Sequence, residues 1–132
     1  MKKILLLILL FINSLFAEVI NEYPSQELVD SQIKIIDIRT QSEWIETGIL
    51  EGALPITFFD ERGNYNIPVF MKKLQEQIKQ GEKFALICHV GNRTAMLAEF
   101  LSKEYHMQVV NLAGGMMYAR SKGIKTVPFR VK

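Results

Sequence analysis

Cys88 is the one cysteine of the chain, and His89, Val90, Gly91, Asn92, Arg93 and Thr94 follow it directly. A thiol attacks and binds as the thiolate, and its usual pKa of about 8.5 falls beside a cation or a helix N-terminus. The apolar run KFALI before Cys88 predicts a core strand, and the amphipathic run over residues 94–105 predicts a helix. Between them the peptide N–H groups would have neither ladder nor helical partners. Curled around one point, which Gly91 permits, they would form a nest for an anion, helped by the positive end of the helix. The nearest anion is the Cys88 thiolate itself, or a persulfide built on it. Arg93 supplies a cation, with a surface arginine at a helix start as the plainer alternative. His89 is an exposed loop residue rather than a papain-like base, because neighbours on a tight loop rarely point at each other. The plain alternative for Cys88 is a core cysteine that happens to precede a turn.

Several chemistries are excluded by count or spacing. Four residues separate Cys88 from Arg93. Cysteine phosphatases place one residue more between the two, in a wider loop that wraps a phosphoryl group. The tighter curl suits a smaller target such as a single terminal sulfur. Two histidines and one cysteine are too few for a usual structural zinc site. His106 reads as a solvated residue at a helix end. No glycine-rich phosphate loop or dinucleotide fingerprint occurs, so no cofactor is expected.

The elements that must position the loop alternate between strand and helix. IKIIDI (33–38) and KFALIC (83–88) read as buried strands, GALPI (52–56) as a short strand near an edge, and QVVNL (108–112) as a third core strand. Helices are expected over 41–46, 68–79, 94–105 and 116–122, with Ala95, Leu97, Ala98 and Leu101 facing the core. Such alternation favours an α/β domain whose parallel sheet is covered on both faces. Ligands of these sheets sit beyond the carboxyl ends of the strands, where both Asp37 and Cys88 fall. Asp37 is equally read as a residue that ends its strand by bonding loop amides.

Residues 1–17 read as a secretory signal peptide, with Lys2 and Lys3 before an apolar stretch and Ala17 at the cleavage position. The apolar stretch is shorter than the roughly 20 residues that span a bilayer. An uncleaved anchor is the alternative, and no cysteine follows the stretch for lipoprotein processing. Cleavage would remove two of the 16 lysines and arginines, leaving as many basic as acidic residues, 14 of each. A neutral domain over 18–132 has no electrostatic case for nucleic acid or, once cleaved, for an anionic membrane. Small exported domains often carry paired cysteines. A lone thiol in such a compartment is a liability that packing alone seldom justifies, which favours a chemical role for Cys88.

Three segments, in order, resemble the rhodanese-like domain family. IIDIRTQSEWIETGILEGALPI (35–56) is similar to its Asp-x-Arg signature, acidic–aromatic pair and Gly-x-Ile-x-Gly-Ala run. CHVGNRT (88–94) resembles its active loop, and VVNLAGGMMYARSKG (109–123) its strand, Gly-Gly turn and last helix. The likeness runs over residues 25–128 and is greatest to the single-domain periplasmic thiosulfate sulfurtransferases. It implies one α/β domain with a five-stranded parallel sheet and double-displacement chemistry. Cys88 would take the outer sulfur of a donor such as thiosulfate and pass it to a thiol, to cyanide or to a sulfur-accepting protein. The amides of His89, Val90, Gly91, Asn92, Arg93 and Thr94 would cradle the persulfide, Asp37 and Arg39 would brace the loop, and Trp44 would pack near the site or simply in the core. Gly114 and Gly115 would act as backbone turn positions. The match departs at Glu43 and Val90, where thiosulfate-using two-domain members carry cationic side chains.

Overall fold

A four-residue apolar run is long enough to form the buried centre of a parallel sheet, and FALI does so here. The computed structural model describes residues 17–132, so the expected signal peptide lies outside the described residues apart from Ala17. The strands are β1 (Val19–Glu22), β2 (Lys34–Asp37), β3 (Ile49–Leu50), β4 (Leu54–Pro55), β5 (Phe84–Ile87), β6 (Val109–Leu112) and β7 (Thr126–Val127). Five of them form one parallel sheet in the order β1-β6-β5-β2-β4, with β5 at its centre. β3 and β7 pair antiparallel as a separate two-stranded ribbon.

The helices are α1 (Gln26–Asp30), α2 (Gln41–Thr47), α3 (Ile67–Gln77), α4 (Asn92–Tyr105) and α5 (Gly115–Ser121). Alternation along β5 divides the core between the two faces of the sheet. Phe84, Leu86 and Cys88 join Phe70, Met71 and Leu74 of α3 and Leu97, Ala98 and Leu101 of α4. Ala85 and Ile87 join Leu28 of α1, Trp44 of α2, and Met116 and Ala119 of α5. The expected parallel sheet with helices on both faces is therefore present. The edge position foreseen for GALPI also holds, since β4 pairs only with β2.

Helix starts explain most of the boundaries. Ser25, Thr40 and Asn66 cap α1, α2 and α3 with their side chains, each accepting a backbone N–H of the first turn. α4 begins at Asn92, two residues earlier than the sequence suggests, because its cap is Gly91 in a left-handed conformation with no side-chain bond. A polar cap residue, the usual marker of a helix start, is therefore absent there.

The corner between β2 and α2 is built around a buried ion pair. Asp37 and Arg39 are 0% and 1% exposed. Arg39 Nη2 and Nε donate to Asp37 at 2.9 and 3.0 Å, and the Trp44 indole N–H donates to Asp37 Oδ1 at 3.1 Å. Arg39 also donates to Thr47 Oγ1 and to the Gly48 carbonyl, both at 2.7 Å. Every charge-bearing atom of the pair thus has a partner, the condition under which a buried pair is tolerated. Asp37→Ala should lower stability by about 3–5 kcal/mol, since Arg39 would keep its charge in the core without a counter-ion. Urea unfolding at neutral pH measures it, and a loss within about 0.5 kcal/mol would contradict the role given to the pair.

Candidate active site

Cys88 stands one residue past the end of β5, at the carboxyl rim of the central strand. The chain then turns through His89, Val90 and Gly91 into α4. Two glycines decide whether this turn can form. Gly91 has φ of 95°, and a Cβ there would lie 2.9 Å from the Gly114 nitrogen. Gly115 has φ of 56°, and its Cβ would lie 2.5 Å from the Cys88 carbonyl oxygen and 2.6 Å from that of His89. In place of a side chain, the start of α5 presents N–H groups. Met116 N–H donates to the Cys88 carbonyl at 2.9 Å and Met117 N–H to the His89 carbonyl at 3.0 Å. With these two carbonyls turned toward α5, the Gly91 N–H points back at the sulfur, 3.2 Å from Cys88 Sγ.

The sulfur is also reached by a chain of polar side chains, two of them buried. Thr94 Oγ1 lies 3.5 Å from Cys88 Sγ and donates to Asn111 Oδ1 at 2.6 Å. Asn111, 4% exposed on β6, donates in turn to Asn21 Oδ1 on β1 at 3.0 Å. Thr94 Oγ1 also lies 3.2 Å from the Gly91 carbonyl, a second acceptor for its one proton, and between the hydroxyl and the sulfur either atom could be the donor. Cys88 itself is 0% exposed, whereas His89, Val90 and Asn92 are exposed around it.

The charge of the loop is held from α2. Arg93 Nη2 and Nη1 donate to Glu43 Oε1 and Oε2 at 2.7 and 3.0 Å, a bidentate pair with both side chains a little over one quarter exposed. Glu43 Oε2 also accepts the Thr40 N–H at 2.9 Å, which closes the capping box of α2. Partial burial pushes the Glu43 pKa up, but the bonds from Arg93 and the Thr40 backbone, with the Arg93 charge, outweigh it and bring it to about 2. Arg93 is raised from its ordinary value by the Glu43 hydrogen bond, against desolvation, with added pull from the charges of Glu43, Cys88 and Asp37.

The residues singled out in the sequence therefore fall into two groups. Cys88, Gly91, Arg93 and Thr94 come together at the rim, with His89, Val90 and Asn92 on its solvent side. Asp37 and Arg39 bond within their own corner, so their link to the loop runs through α2, whose Glu43 grips Arg93. Trp44 is a core residue of that corner and stacks at a tilt on Phe129. Three contributors escape sequence reasoning: Glu43 as the partner of Arg93, Asn111 and Asn21. Only Asn111 carries a local signal, an amide inside an otherwise apolar strand run. Among the described residues, no group of three or more His, Cys, Asp or Glu could hold a metal ion.

A family model described as Rhodanese-like domain matches residues 21–121. No curated protein matches the chain. Among solved structures, Rv0390 from M. tuberculosis superposes with a TM-score of 0.64 at 20% identity, covering 86% of this chain and 98% of that one. A rhodanese-like domain protein from Staphylococcus aureus gives 0.57 at 21% identity, covering 83% and 98%. A rhodanese-related protein from Thermoplasma volcanium gives 0.57 at 26% identity, covering 72% and 83%.

Two outcomes follow from the geometry. Asn111→Leu should destabilise by about 1–3 kcal/mol, because the buried Thr94 hydroxyl and the Asn21 amide lose their partner; urea unfolding reads the change. The Glu43–Arg93 pair should contribute on the order of 1 kcal/mol, given its partial exposure. A carboxylate depressed in the folded state stabilises above its unfolded pKa, and that support is lost as pH falls. The stability gap between wild type and Glu43→Gln should therefore be full above about pH 5 and close toward pH 2. A gap that does not change over that range would contradict the pairing.

Proposed function

Since the chain belongs to the rhodanese-like domain family, we propose that it is an exported sulfurtransferase working through a persulfide on Cys88. The observation that carries this reading is the thiol at the carboxyl end of the central strand, with the Gly91 N–H on its sulfur and the N-terminus of α4 behind it. In the first half-reaction the Cys88 thiolate attacks the outer sulfur of thiosulfate. The S–S bond of the donor breaks, sulfite leaves with the bonding electrons, and Cys88 becomes a persulfide. In the second, a thiophile such as cyanide or a thiol attacks the terminal sulfur, and the Cys88 thiolate departs. Splitting the transfer into two displacements is what a covalent nucleophile offers. The inward Gly91 N–H and the end of α4 favour negative charge on the sulfur in each step. Export to the periplasm is supported by Lys2 and Lys3 before the apolar leader, ending at about Ala17.

A persulfide carrier that hands its sulfur to a protein partner, with little turnover on small donors, is favoured by one observation. Cys88 has 0% exposure, which suits a sulfur handed on within a docked complex more than steady turnover of small donors in solution.

The test uses protein lacking residues 1–17, wild type and Cys88→Ser, incubated with thiosulfate. Intact-mass measurement should show the gain of one sulfur atom in the wild type alone, and cyanide should then release thiocyanate. A mass gain without steady thiocyanate production would favour the carrier. Absence of any adduct, from thiosulfate and from cysteine persulfide offered in its place, would refute sulfur transfer, and equal activity in Cys88→Ser would refute the site.

A further inference from the structure

Arg93 is the only lysine or arginine in the loop from Cys88 to Thr94, and its charge is not free. Both ends of its guanidinium are held by Glu43 at 2.7 and 3.0 Å. Glu43 cannot turn away without cost, because the same carboxylate takes the Thr40 N–H and completes the cap of α2. Asp37, at the end of the neighbouring strand, is likewise locked to Arg39. Among these four side chains, then, no positive charge is left unpaired to meet an incoming donor. The Cys88 thiolate adds one negative charge of its own when it attacks. Opposing charge of this kind acts most on a donor that carries two charges of the same sign.

The geometry points to Glu43 as a specificity-determining residue that holds the site against dianionic donors such as thiosulfate and in favour of sulfur donors with little charge, such as an alkyl persulfide. This rests on the reading of Cys88 as the sulfur-accepting nucleophile. With an alkyl persulfide, the Cys88 thiolate attacks the terminal sulfur and the donor S–S bond breaks. The alkyl thiolate leaves with the electron pair and takes a proton from solvent, and Cys88 keeps the terminal sulfur with its hydrogen. No oxidant or further reactant enters. With thiosulfate the same displacement releases sulfite, but the donor must bring two negative charges to a loop whose one arginine is already neutralised by Glu43.

Glu43→Gln removes that negative charge while keeping a side chain able to cap α2. Its kcat/KM for thiosulfate should rise on the order of tenfold at low ionic strength, and for cysteine persulfide by about threefold or less. Glu43→Asp keeps the charge but shortens its reach, and should retain the wild-type preference between the donors. Equal changes for both donors in Glu43→Gln, or a shift in Glu43→Asp as large as in Glu43→Gln, would overturn the assignment. A second measurement needs no variant. In the wild type, kcat/KM for thiosulfate should not fall as salt is raised, and a steep fall would reveal a net cationic site and sink the proposal. The sulfur-accepting role has its own readout, because wild type that forms no adduct from either donor would bring down that reading and this one together.

Discussion

The buried pair of Asp37 and Arg39 is the constraint on which the arrangement of the site depends. A guanidinium and a carboxylate in the core must each find a complete set of partners, and the sequence supplies them within a dozen residues. Trp44, Thr47 and the Gly48 carbonyl are drawn in to satisfy the two charges, which sets how α2 leaves the sheet. Once α2 is fixed, Glu43 in its first turn faces Arg93 at the start of α4. The pair thereby governs the charge near the thiol without making a side-chain hydrogen bond to the loop that carries it.

The thiol is reached from the opposite side of the sheet by uncharged groups. Asn21, Asn111 and Thr94 cross from the edge strand β1 through β6 to the sulfur. The two supports differ in physical kind. The ion pair from α2 faces solvent in part and responds to acid and salt. The amide–hydroxyl chain starts at exposed Asn21 and runs inward to buried Asn111 and Thr94, where its strength lies in the cost of leaving a buried member unpartnered. Together they fix Arg93 and Thr94, two residues on successive positions of one helical turn, from two different layers of the fold.

Much of this was legible in the sequence, and the gaps have physical causes. β2, β5 and β6 are buried on both faces, so each reads as a continuous apolar run. β1 has a half-buried apolar start, Val19 and Ile20, and an exposed polar end, and so gives no such run. β3 and β7, two residues each, are too short to show any period. The start of α4 is displaced because a left-handed glycine takes the place of a polar cap. In the site, the loop residues are contiguous and could be recognised as a unit. Glu43 lies 50 residues from Arg93 and Asn21 lies 90 from Asn111, separations that no local pattern encodes. Glu43 was visible only as a departure from cationic relatives; its grip on Arg93 required coordinates.

The contact between the start of α5 and the Cys88 turn has a further consequence. The atoms nearest to a Cβ at Gly115 would all be main chain, the carbonyl oxygens of Cys88 and His89 and the His89 carbonyl carbon. A crowded side chain can be relieved by shortening its neighbour, but a carbonyl oxygen has nothing to shorten. Damage at this junction therefore has no compensating substitution on the other side. The two segments, more than twenty positions apart, can change only by moving their backbones together.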